Sequence, residues 1–371
     1  MPMVSGRGAP LQPRRFRTGS GGYQGEHEQS PRQPDPLDRE PAEEKARPGG
    51  RRRGDVTLSL LLGVGLVLSP QASSLDPQGP GAKAAAGLWW LMVVLGGVVF
   101  LIMAALLVIG LRREGQGSRR PPEKWIGAGV AATVVLLIVV FAATLVAMRD
   151  VTADVPPDAL VVEVVGHQWW WEVHYPEQGV TTANELHLPV GRDVALRLSS
   201  SDVIHSFWVP ALAGKMDLLP DRENTLVLRA DEGGEHASEC AEFCGLQHYQ
   251  MGLTVTAETP EAFSTWIDRQ ASPAAEPQTE AGRRGLDLFL ASKCVECHTI
   301  RGTAAEGNGG PDLTHLASRQ QLGAGVLPNT GPDLTTWITD PHTVKEGVDM
   351  PAAELGEDEI AALVTYLGSL K

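Results

Sequence analysis

The chain has 371 residues and a formal net charge of −14, too long for one compact domain and long enough for two or three folded units. That charge is unevenly spread: residues 1–149 carry 18 Lys and Arg against 11 Asp and Glu, whereas residues 150–371 carry 13 against 34. A basic front end with apolar runs and an acidic back end suit a membrane anchor with an external domain, and exclude nucleic acid as a partner of the back half. The four cysteines fall in two close pairs, Cys240 with Cys244 and Cys294 with Cys297. None is left for a long-range structural disulfide, and close pairs flanked by His and Met favour cofactors over staples.

In chain order, residues 1–55 are rich in Arg, Pro, Gly and Glu with almost no aliphatic residues. Such a segment cannot bury enough apolar surface to offset chain entropy, which predicts disorder. Arg51, Arg52 and Arg53 precede an apolar stretch over 56–68, and small residues Ala72, Ser73 and Ser74 follow. Basic, apolar and small-residue segments in that order predict a secretory signal over 56–74 rather than an additional short membrane helix.

Residues 88–111 and 125–148 contain no charge, and each run has roughly the 20 residues a helix needs to cross a bilayer. The loop between them, 112–124, is rich in Arg and ends on Lys124, which places it on the cytoplasmic side and everything after Met148 on the outer face. Trp89, Trp90 and Trp125 sit at the run ends, where aromatic belts belong. From about residue 150 the texture changes to short β-rich pieces (160–165, 194–198, 225–228 and 252–256) separated by Pro, Gly and Asp turns, which predicts a β-sandwich or barrel over 150–270. A closing helix is expected over 259–270, then a Pro/Ala linker over 271–281. Residues 282–371 read as helices joined by Gly-rich loops, with Ile360, Leu363, Val364 and Leu367 on one face of the last.

Two clusters carry chemistry. The first places Cys240, Cys244, His248 and Met251 within twelve residues, a soft donor set suited to copper rather than to magnesium or calcium. The second is Cys294-Val-Glu-Cys297-His298. This is the covalent attachment motif of c-type haem, in which two thiols bond the haem edge and the adjacent imidazole binds iron. Met350 is the only methionine after Met251 and is the expected distal ligand, with His315 and His342 as alternatives. A Met/His pair closes iron to exogenous ligands, as an electron carrier requires.

The first cluster resembles the copper-A loop of cytochrome c oxidase subunit II. Gly166-His167-Gln168-Trp169-Trp170-Trp171, His205-Ser206-Phe207-Trp208-Val209-Pro210 and Ala213-Gly214-Lys215-Met216-Asp217 match further family segments in the family's order. The resemblance covers about residues 88–270 and implies a two-helix transmembrane hairpin followed by a cupredoxin-like β-sandwich. It implies a binuclear copper-A centre with Cys240 and Cys244 bridging two copper ions. His205 and His248 would each bind one copper, Met251 would complete one, and the Glu242 carbonyl the other. The Glu242 side chain would also reach a magnesium ion shared with subunit I. Trp169 matches the aromatic residue through which an external cytochrome c injects electrons, and His248 would be the exit toward subunit I. The second membrane run lacks the Pro that family members often carry, and Glu123 aligns only loosely with a proton-channel carboxylate.

Residues 282–371 resemble an all-α class I cytochrome c domain, through Gly310-Pro311-Asp312-Leu313, Trp337-Ile338 and the helix pair holding Gly285, Phe289, Tyr366 and Leu367. Together these resemblances imply the electron-entry subunit of an oxidase in the cytoplasmic membrane, with both redox domains on the outer face. An external donor (cytochrome c or a quinol:cytochrome c reductase) would reduce haem c, and the partner subunit would reduce oxygen and translocate protons. A copper-A subunit of a nitric oxide reductase would share every motif. A membrane-tethered electron shuttle would lack a catalytic partner, and a copper chaperone would lack His248, Met251 and the haem motif.

Overall fold

The protein is described from a computed structural model, covering residues 74–112, 123–151 and 155–371. The extension expected over 1–55, all but the last residue of the signal expected over 56–74, and most of the loop 112–124 lie outside the described residues.

Two long helices come first, α1 (Pro80–Arg112) and α2 (Glu123–Val151). At 1.5 Å per residue each exceeds the ~30 Å apolar thickness of a bilayer. Their large apolar side chains are exposed almost throughout, among them Phe100, Leu101, Leu137 and Phe141, a surface that lipid tolerates and water does not. The helices face each other across a groove lined by Val99, Ile102, Ala132 and Val135. The start of α1 is fastened to the following domain: Gln78 N–H donates to Ala211 O (2.7 Å), Ala82 N–H to Leu212 O (3.2 Å), and Lys83 pairs with Asp231 (2.7 Å). Gly79 permits this approach, since a Cβ there would lie 2.4 Å from the Arg229 carbonyl.

The middle domain is a sandwich of two five-stranded sheets. Its strands are β1 (Leu160–His167), β2 (Trp170–Tyr175), β3 (Val180–Ala183), β4 (Glu185–Pro189), β5 (Val194–Ser200), β6 (His205–Trp208), β7 (Met216–Leu218), β8 (Asn224–Leu228), β9 (Gly234–Cys240) and β10 (Gly252–Glu258). One sheet runs β3-β2-β1-β5-β8 and the other β4-β10-β9-β6-β7. The alternation read in the sequence is the alternation of burial: Leu160, Val162 and Val164 of β1 point inward, as do Leu253 and Val255 of β10. Each such side chain contributes about 1.5–3 kcal/mol by leaving water. Helix α3 (Pro260–Ala271) starts at Thr259, whose side chain accepts from Ala262 N–H, with Pro260 at the first turn. It buries Phe263, Trp266, Ile267 and Gln270, one stripe at helical spacing.

The last domain contains α4 (Glu280–Ala291), α5 (Cys294–Cys297), α6 (Gly331–Thr339), α7 (Pro341–Val344) and α8 (Glu357–Leu367). Helices α4 and α8 cross at Gly285, where a Cβ would lie 2.2 Å from the Ala362 carbonyl, and Phe289 meets Tyr366 edge-on at 6.4 Å. The sequence predicts an all-α domain; the structure adds two antiparallel ladders of two residues per strand, 299–300 with 305–306 and 321–322 with 327–328. The Pro/Ala stretch over 271–281 is not a free tether, because Ala274 N–H donates to Arg301 O at 2.9 Å and Ala274 packs on the core of the last domain.

Candidate metal and haem sites

The loop after β9 folds back so that its donors converge with one from β6. Cys240 Sγ lies 3.8 Å from Cys244 Sγ, 3.9 Å from His205 Nδ1 and 3.3 Å from the Glu242 carbonyl. Cys244 Sγ lies 3.6 Å from His248 Nδ1 and 3.8 Å from Met251 Sδ. All six donors proposed from the sequence therefore meet in one cluster. The sulfur–sulfur separation is far beyond the ~2.05 Å of a disulfide, so both thiols remain available. His205 is fully buried, and Gly166 makes room for it: a Cβ there would lie 2.8 Å from its ring.

The electrostatics prepare the cluster for a cation. Cys240 is held far down, at about 3, first by the hydrogen bond from Cys244 and then by His205, against the cost of burial. The Cys244 thiol is pushed up by donating to that thiolate and by burial. Asp202 Oδ1 accepts from His205 Nε2–H at 2.8 Å, which sets the tautomer and leaves Nδ1 facing the sulfurs. Burial alone would raise the Asp202 carboxyl, but this bond and the Val203 and Gln168 amides hold it low. Two thiols, two imidazoles, a thioether and a carbonyl are a soft donor set that fits copper. The Glu242 side chain stands away from the sulfurs, 3.9 Å from Lys215 Nζ.

In the last domain Cys294 and Cys297 are one helical turn apart on α5 and unbonded. His298 Nδ1–H donates to the Pro311 carbonyl at 2.7 Å, and burial lowers its pKa, so the ring is kept neutral with Nε2 free for iron. Gly310 is the cradle, since a Cβ there would press to 2.7 Å from the imidazole. Met350 is half-buried against the core that also takes Cys294 and Leu313. Of the alternatives, His315 is committed through Nε2–H to the Ser272 carbonyl (3.0 Å), and His342 is exposed on α7. These residues fit a covalently held haem.

Family models match twice. Residues 178–258 match "Cytochrome C oxidase subunit II, periplasmic domain", and residues 282–371 match "Cytochrome c". A middle stretch of the chain is thus similar to a subunit II periplasmic domain and its last stretch to a cytochrome c domain. It is 36% identical over 224 residues to cytochrome c oxidase subunit 2 of Alkalihalophilus pseudofirmus, covering 60% of this chain and 65% of that protein. It is 33% identical over 236 residues to the same subunit of Bacillus sp. strain PS3, covering 61% and 65%. The chain therefore spans just under two thirds of the length of these relatives. Among solved structures, the periplasmic domain of subunit II of cytochrome oxidase from Bradyrhizobium japonicum aligns at 26% identity and TM-score 0.31, over 32% of this chain and 96% of that one. The described residues form a pair of apolar helices, a cupredoxin-like sandwich and a cytochrome c-like domain. The subunit II domain implies copper and the cytochrome c domain implies haem; the helices make this a membrane-anchored protein with a periplasmic-type domain.

Trp169 stands elsewhere than the sequence suggests. It is only 9% exposed, because the cytochrome c domain lies over it: a Cβ at Gly347 would sit 3.6 Å from its ring. Its Nε1–H donates to the Cys244 carbonyl at 2.9 Å. The indole therefore borders the copper loop on one side and the fused domain on the other, and offers no landing surface to a separate cytochrome c. Two residues escaped the sequence reading. Asp202 is marked by nothing but its place three residues before His205, and no motif singles out Lys345.

Proposed function

We propose that the chain is the electron-entry subunit II of a cytochrome c oxidase in the cytoplasmic membrane, with its two redox domains on the outer face. The observation that carries this is the convergence of six donors on Cys240 and Cys244, beside Trp169, under the cytochrome c domain. Cys240 and Cys244 would bridge two copper ions, with His205, His248, Met251 and the Glu242 carbonyl completing them. Cys294 and Cys297 would hold haem c by thioether bonds, with His298 and Met350 on its iron. Bound copper A and haem c supply reversible one-electron transfer with little nuclear movement, since neither site leaves a position open to substrate.

The residues of this chain do the rest. Pro311 orients His298, Asp202 orients His205, and Trp169 fills the space between domains and excludes water there. Because Trp169 is covered, a donor such as a soluble cytochrome c or a quinol:cytochrome c reductase meets the haem domain rather than the indole. His248 would face subunit I, where oxygen is reduced to water and protons are translocated, and the Glu242 side chain, now 3.9 Å from Lys215 Nζ, would reach a magnesium ion at that contact. The names of the relatives favour an oxidase over the copper-A subunit of a nitric oxide reductase.

The test is spectroscopy on the full chain, matured with haem and loaded with copper, together with purification from native membranes. Two coppers per chain, a multi-line EPR signal of one shared electron, a low-spin haem c and a co-purifying oxygen-consuming subunit are expected. One copper per chain, or a Cys240–Cys244 disulfide, would sink the copper-A reading. The absence of a haem-bearing partner would leave a membrane-tethered electron shuttle.

A further inference from the structure

Lys345 is 2% exposed yet makes no ion pair among the described residues. Its Nζ donates instead to three backbone carbonyls: Trp169 at 2.8 Å, Gln250 at 2.7 Å and Gly323 at 2.8 Å. Three acceptors use all three ammonium protons, and a neutral amine would leave one carbonyl unmet. Burial pushes the amine down to about 7, a cost that an unpaired lysine on an open surface would not bear. The acceptors come from both sides of the domain boundary. Trp169 and Gln250 belong to the copper domain, where Trp169 also donates to Cys244 O and Gln250 precedes Met251. Gly323 belongs to the cytochrome c domain.

The segment after Lys345 continues the contact. Gln247 Nε2 donates to the Glu346 carbonyl at 2.6 Å. Gly347, at φ +81°, passes over the indole, and a Cβ there would also come within 3.3 Å of Leu246. Val348 packs on the core of the sandwich, two residues before Met350. A single short segment thus runs from the copper loop to the expected axial ligand of the haem. Other polar contacts also cross the boundary: Gly252 N–H to Ala324 O at 2.9 Å lies next to the Lys345 acceptors, whereas Arg319 with Glu185 (3.9 Å), Gln320 with Glu235, Gln270 with Ser318 (3.2 Å) and Arg301 with the Gln270 carbonyl involve other residues.

We propose that Lys345 is a positioning residue that pins the cytochrome c domain onto Trp169 and the copper loop, so that transfer between the two sites runs within one docked geometry. This rests on the reading of both sites given under the proposed function. Transfer falls steeply with separation and misalignment, and a displacement of an ångström or so is enough to cost orders of magnitude where geometry controls a rate.

The experiment photoreduces haem c in the full, haem- and copper-loaded chain and follows the electron to copper, in the wild type, Lys345→Met and Lys345→Arg. Lys345→Met should slow that step about tenfold or more, with haem and copper spectra and potentials unchanged. Lys345→Arg, which keeps charge and donors, should recover part of the rate. An unchanged rate in Lys345→Met overturns the proposal. A wild type lacking either spectrum would overturn the functional reading instead. Should Lys345→Met fail to accumulate, brief acylation of the wild type with an amine reagent decides. Lys83 and Lys215, about half exposed, should be modified while Lys345 is spared, and equal labelling at Lys345 overturns the pin.

Discussion

In the copper domain, His205, Cys240 and Cys244 present their ligand atoms within 4.8 Å of one another, two of them at the ends of strands β6 and β9 and the third on the loop after β9. In the cytochrome c domain, Cys294 and Cys297 share one turn of helix, with Cys297 exposed, and Met350 comes from a loop far downstream. The copper donors are brought together by the β-sandwich, which buries them with the core residues Trp171 and Phe207. On the proposed reading, Cys294 and Met350 pack on one core and a bound haem would complete the set. The first site would be a rack set by the fold, and the second a clasp that a haem would close.

The contrast is tested hardest at the cysteines. Cys244→Ser should abolish the two-copper EPR signal and cut the copper content below two per chain, while the haem c spectrum stays intact. Loss of both spectra would mean the sites are not independent. Next comes Met350→Ala, in which the thioether bonds should keep the haem attached while the iron opens to carbon monoxide in the reduced state. Copper EPR should be unchanged, and a low-spin, closed haem in that variant would return His315 or His342 as the ligand. Asp202→Asn should weaken copper binding about 10–100-fold, the usual effect of removing a carboxylate behind a metal-bound histidine, as read by competition with a chelator.

The smallest effect concerns the frame behind the rack. His187 stands between Glu185 (3.7 Å) and Glu258 (2.8 Å) and stacks on Trp266 at 4.0 Å. Burial alone would lower its pKa, but the two carboxylates outweigh it and raise it above 6.5. The folded state thus holds this proton more tightly than the unfolded chain. That stability is present in full below pH 6.5 and is lost as pH rises through the raised folded value. Thermal unfolding from about pH 6 to about pH 9 should show a decline in the wild type that His187→Gln flattens. Equal slopes in the two proteins would remove His187 from the account.

Part of each proposed donor set was legible in the sequence because that part is local. Cys240, Cys244, His248 and Met251 lie within twelve residues, and Cys294, Cys297 and His298 on one turn, whereas His205 and Met350 come from elsewhere and were placed by resemblance and by elimination. Strand texture was legible for the same reason: burial in β1 and β10 alternates with the residue count. Membrane helices announce themselves by uncharged length. Helix ends were less legible, and α1 begins eight residues before its apolar run, at Pro80, because the first turns rest on the copper domain rather than in lipid.

The features that had to await the packed molecule lie between the domains. Trp169, an electron-entry residue by resemblance, is roofed by Gly347; Asp202 holds His205 and Lys345 is sealed among three carbonyls, and nothing in the sequence singled out either. Local spacing determines which donors a loop can offer. The burial of a side chain depends on what a distant segment lays over it, and no periodicity in the chain encodes that packing.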